Sequence, residues 1–141
     1  MSKLDPDFTD TRSCFCSVFR RAGRAVTQHY EAAFRGSGLR ATQFTVLATL
    51  AQVEPMTMSD LAELLGMERT TLTRNLRPLE AKGWVRGLSD DADLRRRRIE
   101  LTPKGRAAAA RAIPTWRKAQ ANVGPVLARF GIRFEDPSRA S

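Results

Sequence analysis

Residues 59–83, SDLAELLGMERTTLTRNLRPLEAKG, decide the fold, because they contain two helical patterns joined by a tight turn. Ser59 is predicted to cap a short helix over residues 60–65, which Gly66 ends. A longer helix is predicted over residues 69–82, with its leucines on one apolar stripe. Two helices joined by three or four residues that include a glycine are typical of a helix-turn-helix.

A β-hairpin is predicted directly after these helices. Residues 84–88 have the composition of a strand, and residues 89–93 are rich in the Asp and Ser of turns. Residues 98–101 alternate polar and apolar side chains, as a half-buried strand does. With a short extended piece at residues 56–58, this hairpin forms the wing of a winged-helix lobe over residues 56–102.

The flanking segments predict further helices. An apolar residue recurs every three or four positions over residues 11–34, which indicates an amphipathic helix. A second helix is predicted to start at Thr42, and another at Thr102, where a capping hydroxyl precedes a proline. Pro114 is expected to kink or interrupt that last helix. We therefore predict one domain over residues 1–141, mainly α with a small β-wing.

Composition and charge limit the range of functions. The chain has 141 residues, of which 42% are hydrophobic, and a net charge of +9. A basic domain of this size indicates a polyanionic partner, either nucleic acid or an anionic membrane surface. No uncharged apolar stretch of about 18 residues is present, and the acidic N-terminus lacks the pattern of a signal peptide. With only two cysteines, a cytoplasmic location is expected.

The outward face of the longer helix carries residues suited to DNA. Arginine is the commonest specific partner of guanine in the major groove, and threonine hydroxyls can bond bases and phosphates. An ordinary solvated helix face is the alternative. The predicted contacts of this recognition helix are Arg69, Thr70, Thr73, Arg74 and Arg77.

The predicted hairpin carries a run of charges in which three aspartates precede four consecutive arginines. On a strand, alternate arginines must point to opposite faces. The carboxylate of Asp93 can hold the Arg95 guanidinium two residues later, and a held arginine suits a narrow, negative minor groove. A solvated hairpin tip is the alternative. The predicted wing contacts are Asp93, Arg95, Arg96 and Arg97.

Cys14 and Cys16 lie where the first helix is predicted to begin, and thiols near a helix N-terminus can become reactive. The alternative is that both are small buried residues of a helix interface. A bond between them is not expected, because residues two apart on a helix face different ways.

With one histidine, His29, no metal site is expected. No cofactor and no catalytic group are predicted either, so the chain is not expected to be an enzyme.

Several motifs resemble those of the MarR family of regulators: residues 59–66 (SDLAELLG), 70–74 (TTLTR), 79–85 (LEAKGWV) and the wing DLRR followed by LTPKG at 101–105. The resemblance implies a homodimer held by its first and last helices, about residues 11–55 and 103–135. It implies a recognition helix in the major groove and a wing in the minor groove of a pseudo-palindromic operator. It also implies that Asp93 orients Arg95. Most members are repressors released by a small, often aromatic, effector or by cysteine oxidation.

The chain departs from this family in two places. The last helix of the family is usually long, whereas this sequence ends soon after Phe134, so an apolar C-terminal group is expected to complete the dimer: Val126, Leu127, Phe130, Ile132 and Phe134. Cys16 falls where the hydroperoxide-sensing branch has its reactive cysteine, and Tyr30 matches one of that branch's tyrosines. Arg20 and Ala41, however, occupy the positions of the two tyrosines that usually accompany the thiol.

The sequence therefore predicts a dimeric DNA-binding transcriptional repressor with an effector pocket between its first, second and fifth helices. A sequence-tolerant architectural DNA-binding protein without a ligand switch is the main alternative. A third is a winged-helix module whose arginines meet an acidic protein.

Overall fold

A computed structural model describes residues 6–53, 55–88 and 97–135. A 3₁₀ helix over Thr9–Ser13 leads into α1, and six α-helices and three strands follow in the order α1–α2–β1–α3–α4–β2–β3–α5–α6. The helices are α1 (Phe15–Phe34), α2 (Ala41–Leu50), α3 (Met58–Leu65), α4 (Arg69–Ala81), α5 (Pro103–Ala121) and α6 (Gly124–Ala128). The strands are β1 (Met56–Thr57), β2 (Val85–Leu88) and β3 (Arg98–Leu101). The predicted fold class, mainly helical with a small wing, is confirmed.

The three strands form one antiparallel sheet in the order β1–β3–β2. Ile99 lies opposite both Met56 on β1 and Gly87 on β2, so β3 is paired along both edges. Its alternating pattern buries Ile99 fully and leaves Arg98 exposed. The sheet thus joins the wing arms to the segment that enters the helix-turn-helix.

One apolar core lies beneath α4. The leucines on the inner face of α4, Leu72, Leu76 and Leu79, are almost completely buried. They pack in the same cluster as residues of α2, α3, β2 and β3, and α5 contributes small alanines. Because these leucines recur at helical spacing, burying them fixes which face of α4 points to solvent.

The start of α1 differs from the prediction, since the α-helix begins at Phe15 rather than at residue 11. Side-chain hydroxyls explain the difference. Thr11 Oγ1 donates to the Phe8 carbonyl at 2.7 Å, and Ser13 Oγ donates to the Asp10 carbonyl at 3.0 Å. Such local bonds compete with α-helical pairing, and here they accompany a 3₁₀ turn.

Two predicted helix caps are also wrong by two residues. Arg40, not Thr42, is the N-cap of α2, where the Gln43 side chain accepts the Arg40 N–H at 3.1 Å. Thr57, not Ser59, caps α3 and accepts the Asp60 N–H at 3.2 Å. In both cases an extended residue is the N-cap and the helix begins directly after it. That N-cap lies two positions before the residue whose hydroxyl predicted the helix start.

Pro114 does not interrupt α5, which runs unbroken over Pro103–Ala121. A proline removes one backbone donor, but the alanine-rich turns around it favour helix, and α5 packs against α1 and α2. Its start is as predicted, with the Thr102 hydroxyl accepting the Gly105 N–H at 3.0 Å.

The far end of α5 is bonded to α1. His29 Nε2 lies 2.8 Å from the Ala119 carbonyl oxygen, and the Tyr30 hydroxyl donates to the Gln120 side-chain oxygen. Burial raises the pKa of Tyr30, so its hydroxyl stays protonated and able to donate. These bonds fix the orientation of α1 relative to the C-terminal half of α5.

Candidate nucleic-acid interface

The outer face of α4 carries the predicted recognition residues in solvent. Glu68 precedes the helix in an extended conformation without a side-chain cap bond, so the first backbone N–H groups of α4 are open to a ligand. The predicted residues on this face are all exposed: Arg69, Thr70, Thr73, Arg74 and Arg77. Within the described ranges, none of the three arginines makes an ion pair.

Two polar side chains of α4 bond back to their own helix. Thr73 Oγ1 donates to the Arg69 carbonyl at 2.8 Å, and Asn75 Nδ2 donates to the Thr71 carbonyl at 3.1 Å. Their remaining oxygen lone pairs can still accept from a base amino group. The face therefore combines cationic donors with acceptors held in fixed positions.

Of the predicted wing residues, Asp93, Arg95 and Arg96 lie outside the described residues. Arg97 is described, and its side chain turns back onto the protein. Its Nη2 donates to Glu80 Oε1 on α4 at 2.6 Å, and the two side chains are 37% and 31% exposed. In this position the guanidinium is already engaged with a carboxylate, which differs from the free DNA contact predicted for Arg97.

The neighbouring arginine is engaged on another element. Arg98 donates from Nε to the Pro55 carbonyl oxygen at 3.1 Å, and Nη2 bonds the same oxygen. Arg97 and Arg98 thus bond to different parts of the protein, Glu80 on α4 and the residue before β1. Consecutive side chains that point to opposite faces, as predicted, would give this result. Within the hairpin, Arg86 on β2 also pairs with Glu100 on β3.

The start of α5 packs closely against the chain that leaves α4. Thr102 Oγ1 donates to the Gly83 carbonyl at 2.6 Å, and a Cβ at Gly105 would stand 2.8 Å from the Trp84 carbonyl carbon. Lys82 Nζ donates to the Gly38 carbonyl at 3.2 Å and lies 4.5 Å above the Trp84 ring. These contacts seat the end of α4 between α5 and the α1–α2 connection.

The two cysteines are exposed in the protomer, so the prediction of small buried interface residues is not met within one chain. Cys14 precedes α1 with a non-helical ψ of 116°, so only Cys16 lies on the helix. The rule that residues two apart on a helix face different ways therefore does not apply to this pair. Among the described residues, no group of His, Cys, Asp and Glu side chains could hold a metal ion.

A shallow depression of about 670 Å³ lies beside the C-terminal half of α1 and the α1–α2 connection. Its lining includes Glu31 and Arg40, whose side chains form a 3.8 Å ion pair, and Phe34. No residue of α5 lines it. The depression is therefore not the predicted effector pocket between the first, second and fifth helices.

Sequence reasoning missed two residues of this region. In the sequence, Glu80 stands out only as part of a family motif, and Gly87 only as part of a predicted strand. The alternation rule placed Arg95 and Arg97 on the same face, but nothing local in the sequence indicated that this face meets Glu80. Only the packing of α4 against β2 brings the carboxylate within reach.

The helix pair α3–α4, followed by a hairpin on a three-stranded sheet, defines a winged helix-turn-helix protein. The family model for the MarR family matches residues 39–96, which include α2 to α4 and β2. The chain belongs to the MarR family, which consists of transcriptional regulators and not enzymes.

Solved structures support this assignment at high identity. The transcriptional regulator MosR of M. tuberculosis is 43% identical, with a TM-score of 0.71 over 95% of this chain and 90% of that one. MosR in complex with DNA is 50% identical, with a TM-score of 0.67 over 79% of this chain and 81% of that one.

Curated relatives match over a shorter span. The HTH-type transcriptional regulator TtmR of Methylorubrum extorquens is 34% identical over 72% of this chain and 51% of its own length. The transcriptional repressor MprA of Escherichia coli is 36% identical over 50% of this chain and 42% of its own length. The chain spans about half the length of the curated relatives it matches. None of the helices in the described ranges combines the length with the apolar character that a membrane span requires.

Proposed function

We propose that the protein is a cytoplasmic, homodimeric transcriptional repressor that binds a pseudo-palindromic operator and releases it in response to a signal. The observation that carries the proposal is the exposed α4 face, whose three arginines pair with no carboxylate that the structure describes, on a helix whose opposite side is buried in the core. The likeness to a regulator crystallised with DNA supports the same reading.

The proposed contacts divide by groove. Residues 69–77 of α4 would enter the major groove, where Arg74 reads a base edge and the other members of the face bind bases or phosphates. Asp93, Arg95 and Arg96 would serve the adjacent minor groove, with Asp93 orienting Arg95. Residues 56–102 would thus form the DNA-binding lobe.

Exposed apolar side chains outside the lobe support a dimer. Phe15 and Phe19, one helical turn apart on α1, are 78% and 59% exposed, and Phe134 is 68% exposed. Because α6 packs against α1, these aromatic groups belong to the region formed by the N- and C-terminal segments. Apolar surface of this kind marks a contact with another protein. We propose that it is the homodimer interface, completed by the apolar residues of 126–134.

A dimer explains how a signal would act. Two recognition helices must be one turn of DNA apart, about 34 Å, to reach both half-sites together. A small, aromatic effector bound between the dimer helices and the lobe, or oxidation of Cys16, would change that spacing and lower the affinity.

The experiment that tests the function is selection of bound duplexes from random DNA, followed by titration of the selected duplex against a scrambled one. We expect a palindromic consensus bound as a dimer, and at least a thousandfold preference at physiological salt. A steep salt dependence with a small preference would identify the architectural alternative. Failure to bind any duplex at low salt would favour the protein–protein module.

Arg95→Ala should weaken binding to the selected duplex by about tenfold or more, because a minor-groove arginine is lost. Fluorescence anisotropy with labelled duplex measures the change. Arg111→Ala on α5 is the matched control, since it removes the same charge from an exposed position outside the lobe. Equal losses for the two variants would show that only net charge matters.

Cys16→Ser should abolish the release of DNA caused by hydroperoxide, in which the peroxide oxidises the thiol to a sulfenic acid and is reduced to the alcohol or water. Cys14→Ser provides the control on the second exposed thiol. Band shifts with and without peroxide give the measurement. Unchanged peroxide-induced release from Cys16→Ser would remove this residue as the sensor.

A further inference from the structure

The ion pair between Glu80 and Arg97 joins two parts of the molecule that are far apart along the chain. Glu80 lies in the last turn of α4, and Arg97 lies immediately before β3. The 2.6 Å bond from Arg97 Nη2 to Glu80 Oε1 therefore connects the recognition helix directly to an arm of the wing. Arg86 and Glu100, in contrast, pair within the hairpin and restrain no helix.

Gly87 on β2 provides the space for this connection. A Cβ at Gly87 would stand 2.6 Å from Nη2 and 2.7 Å from Cζ of Arg97, so the guanidinium lies directly against the bare backbone of β2. Any other residue at position 87 would push the guanidinium away. A carboxylate on one side and a glycine on the other hold the planar group in one orientation.

We propose that Glu80, Arg97 and Gly87 form a positioning clamp that sets the angle between the wing and the recognition helix, and that Arg97 acts through Glu80 rather than by touching DNA. This inference rests on the proposed function, because the angle matters only if α4 and the wing bind the same duplex. The clamp stiffens the protein before binding, so less order must be imposed when the complex forms.

The clamp and a phosphate contact predict opposite results for two substitutions that each remove one charge. If Arg97 is part of the clamp, Glu80→Gln and Arg97→Gln should each weaken binding to the selected duplex by about three- to tenfold, the scale of a partly exposed, charge-assisted bond. The double variant should lose no more than either single one, because both changes break the same contact. The slope of log affinity against log salt should stay at the wild-type value.

If Arg97 binds a phosphate instead, Arg97→Gln should lower the magnitude of that slope by about one unit. Glu80→Gln should then leave affinity unchanged or raise it, because removing a negative charge near DNA is favourable. Either result overturns the clamp.

Two further variants make the test independent of one substitution. Gly87→Ala should weaken binding as much as Arg97→Gln does, and should add nothing in the Arg97→Gln background. The exchanged pair, Glu80→Arg with Arg97→Glu, should recover part of the affinity that Arg97→Glu alone loses. No recovery in the exchanged pair and an additive effect of Gly87→Ala would also overturn the clamp.

Glu100→Gln is the matched control, since it breaks an ion pair of the same type inside the hairpin. It should cost less affinity than Glu80→Gln, and an equal cost would count against a special link to α4. All titrations use the 141-residue chain and include wild type. Wild-type protein that prefers no duplex overturns the proposed function together with the clamp, whereas specific wild-type binding with independent, additive variants overturns the clamp alone.

Discussion

Gly105→Ala should destabilise the protein by about 1–2 kcal/mol, because the overpacking cost exceeds the gain from the better helix former. The added methyl group would stand 2.8 Å from both the Trp84 carbonyl carbon and Leu101 Cδ1, and it would also overlap the Trp84 carbonyl oxygen. Backbone cannot rotate away as a side chain does, so α5 must shift and loosen the Thr102 bonds. Overpacking of this kind costs about 1–3 kcal/mol.

Gly23→Ala is the matched control, because it makes the same change in the middle of α1, where nothing lies within 4 Å of the new methyl group. Removing a flexible residue from a helix interior should stabilise the protein by about 0.5–1 kcal/mol. Urea unfolding followed by circular dichroism measures both variants. The prediction for Gly105 fails if the two substitutions change stability in the same direction.

Arg74→Ala should weaken binding to the selected duplex by about 1–3 kcal/mol, which is about five- to 150-fold in Kd, and should relax the preference at one base pair. Arg74 is exposed on α4 one turn after Thr70, and the buried leucines behind it fix the direction of this face. An arginine that reads a base loses discrimination when it is removed, whereas one that binds a phosphate loses affinity for every sequence.

Titration of each variant against the selected duplex, single-base variants and scrambled DNA separates these effects. Arg111→Ala again controls for the loss of one charge. An equal loss of affinity on selected and scrambled DNA would remove Arg74 from base reading and leave it as a phosphate contact. Arg74→Ala should leave the stability of the fold unchanged, since Arg74 makes no ion pair among the described residues.

Most of the fold could be predicted because its signals are local. The leucine spacing of α4, the alternation of β3 and the Thr-Pro start of α5 each need only one segment of chain, and all three agree with the structure. The predictions that failed concern the residue at which a helix begins, where neighbouring residues are almost equally suitable as N-cap. Thr42 and Ser59 are good caps, but the chain turns into helix two residues earlier at Arg40 and Thr57.

The candidate site could likewise be predicted only where its signals are local. A helix face follows from its buried stripe, so the exposure of Arg74 could be inferred. The position of Arg97 could not, because its carboxylate partner is 17 residues away and depends on how α4 packs against β2. An arginine in a basic run looks the same in sequence whether it faces DNA or the protein.

The unbroken course of α5 through Pro114 has a mechanical consequence. One end, at Gly105, rests on the lobe, and the other, at Ala119, is bonded to His29 of α1. These two points are 14 residues apart, about 21 Å along a helix. A tilt of about 5° at the α1 end would displace Gly105 by about 2 Å. The helix can thus act as a lever, through which small rotations of α1 would become ångström-scale shifts of α4 and the wing.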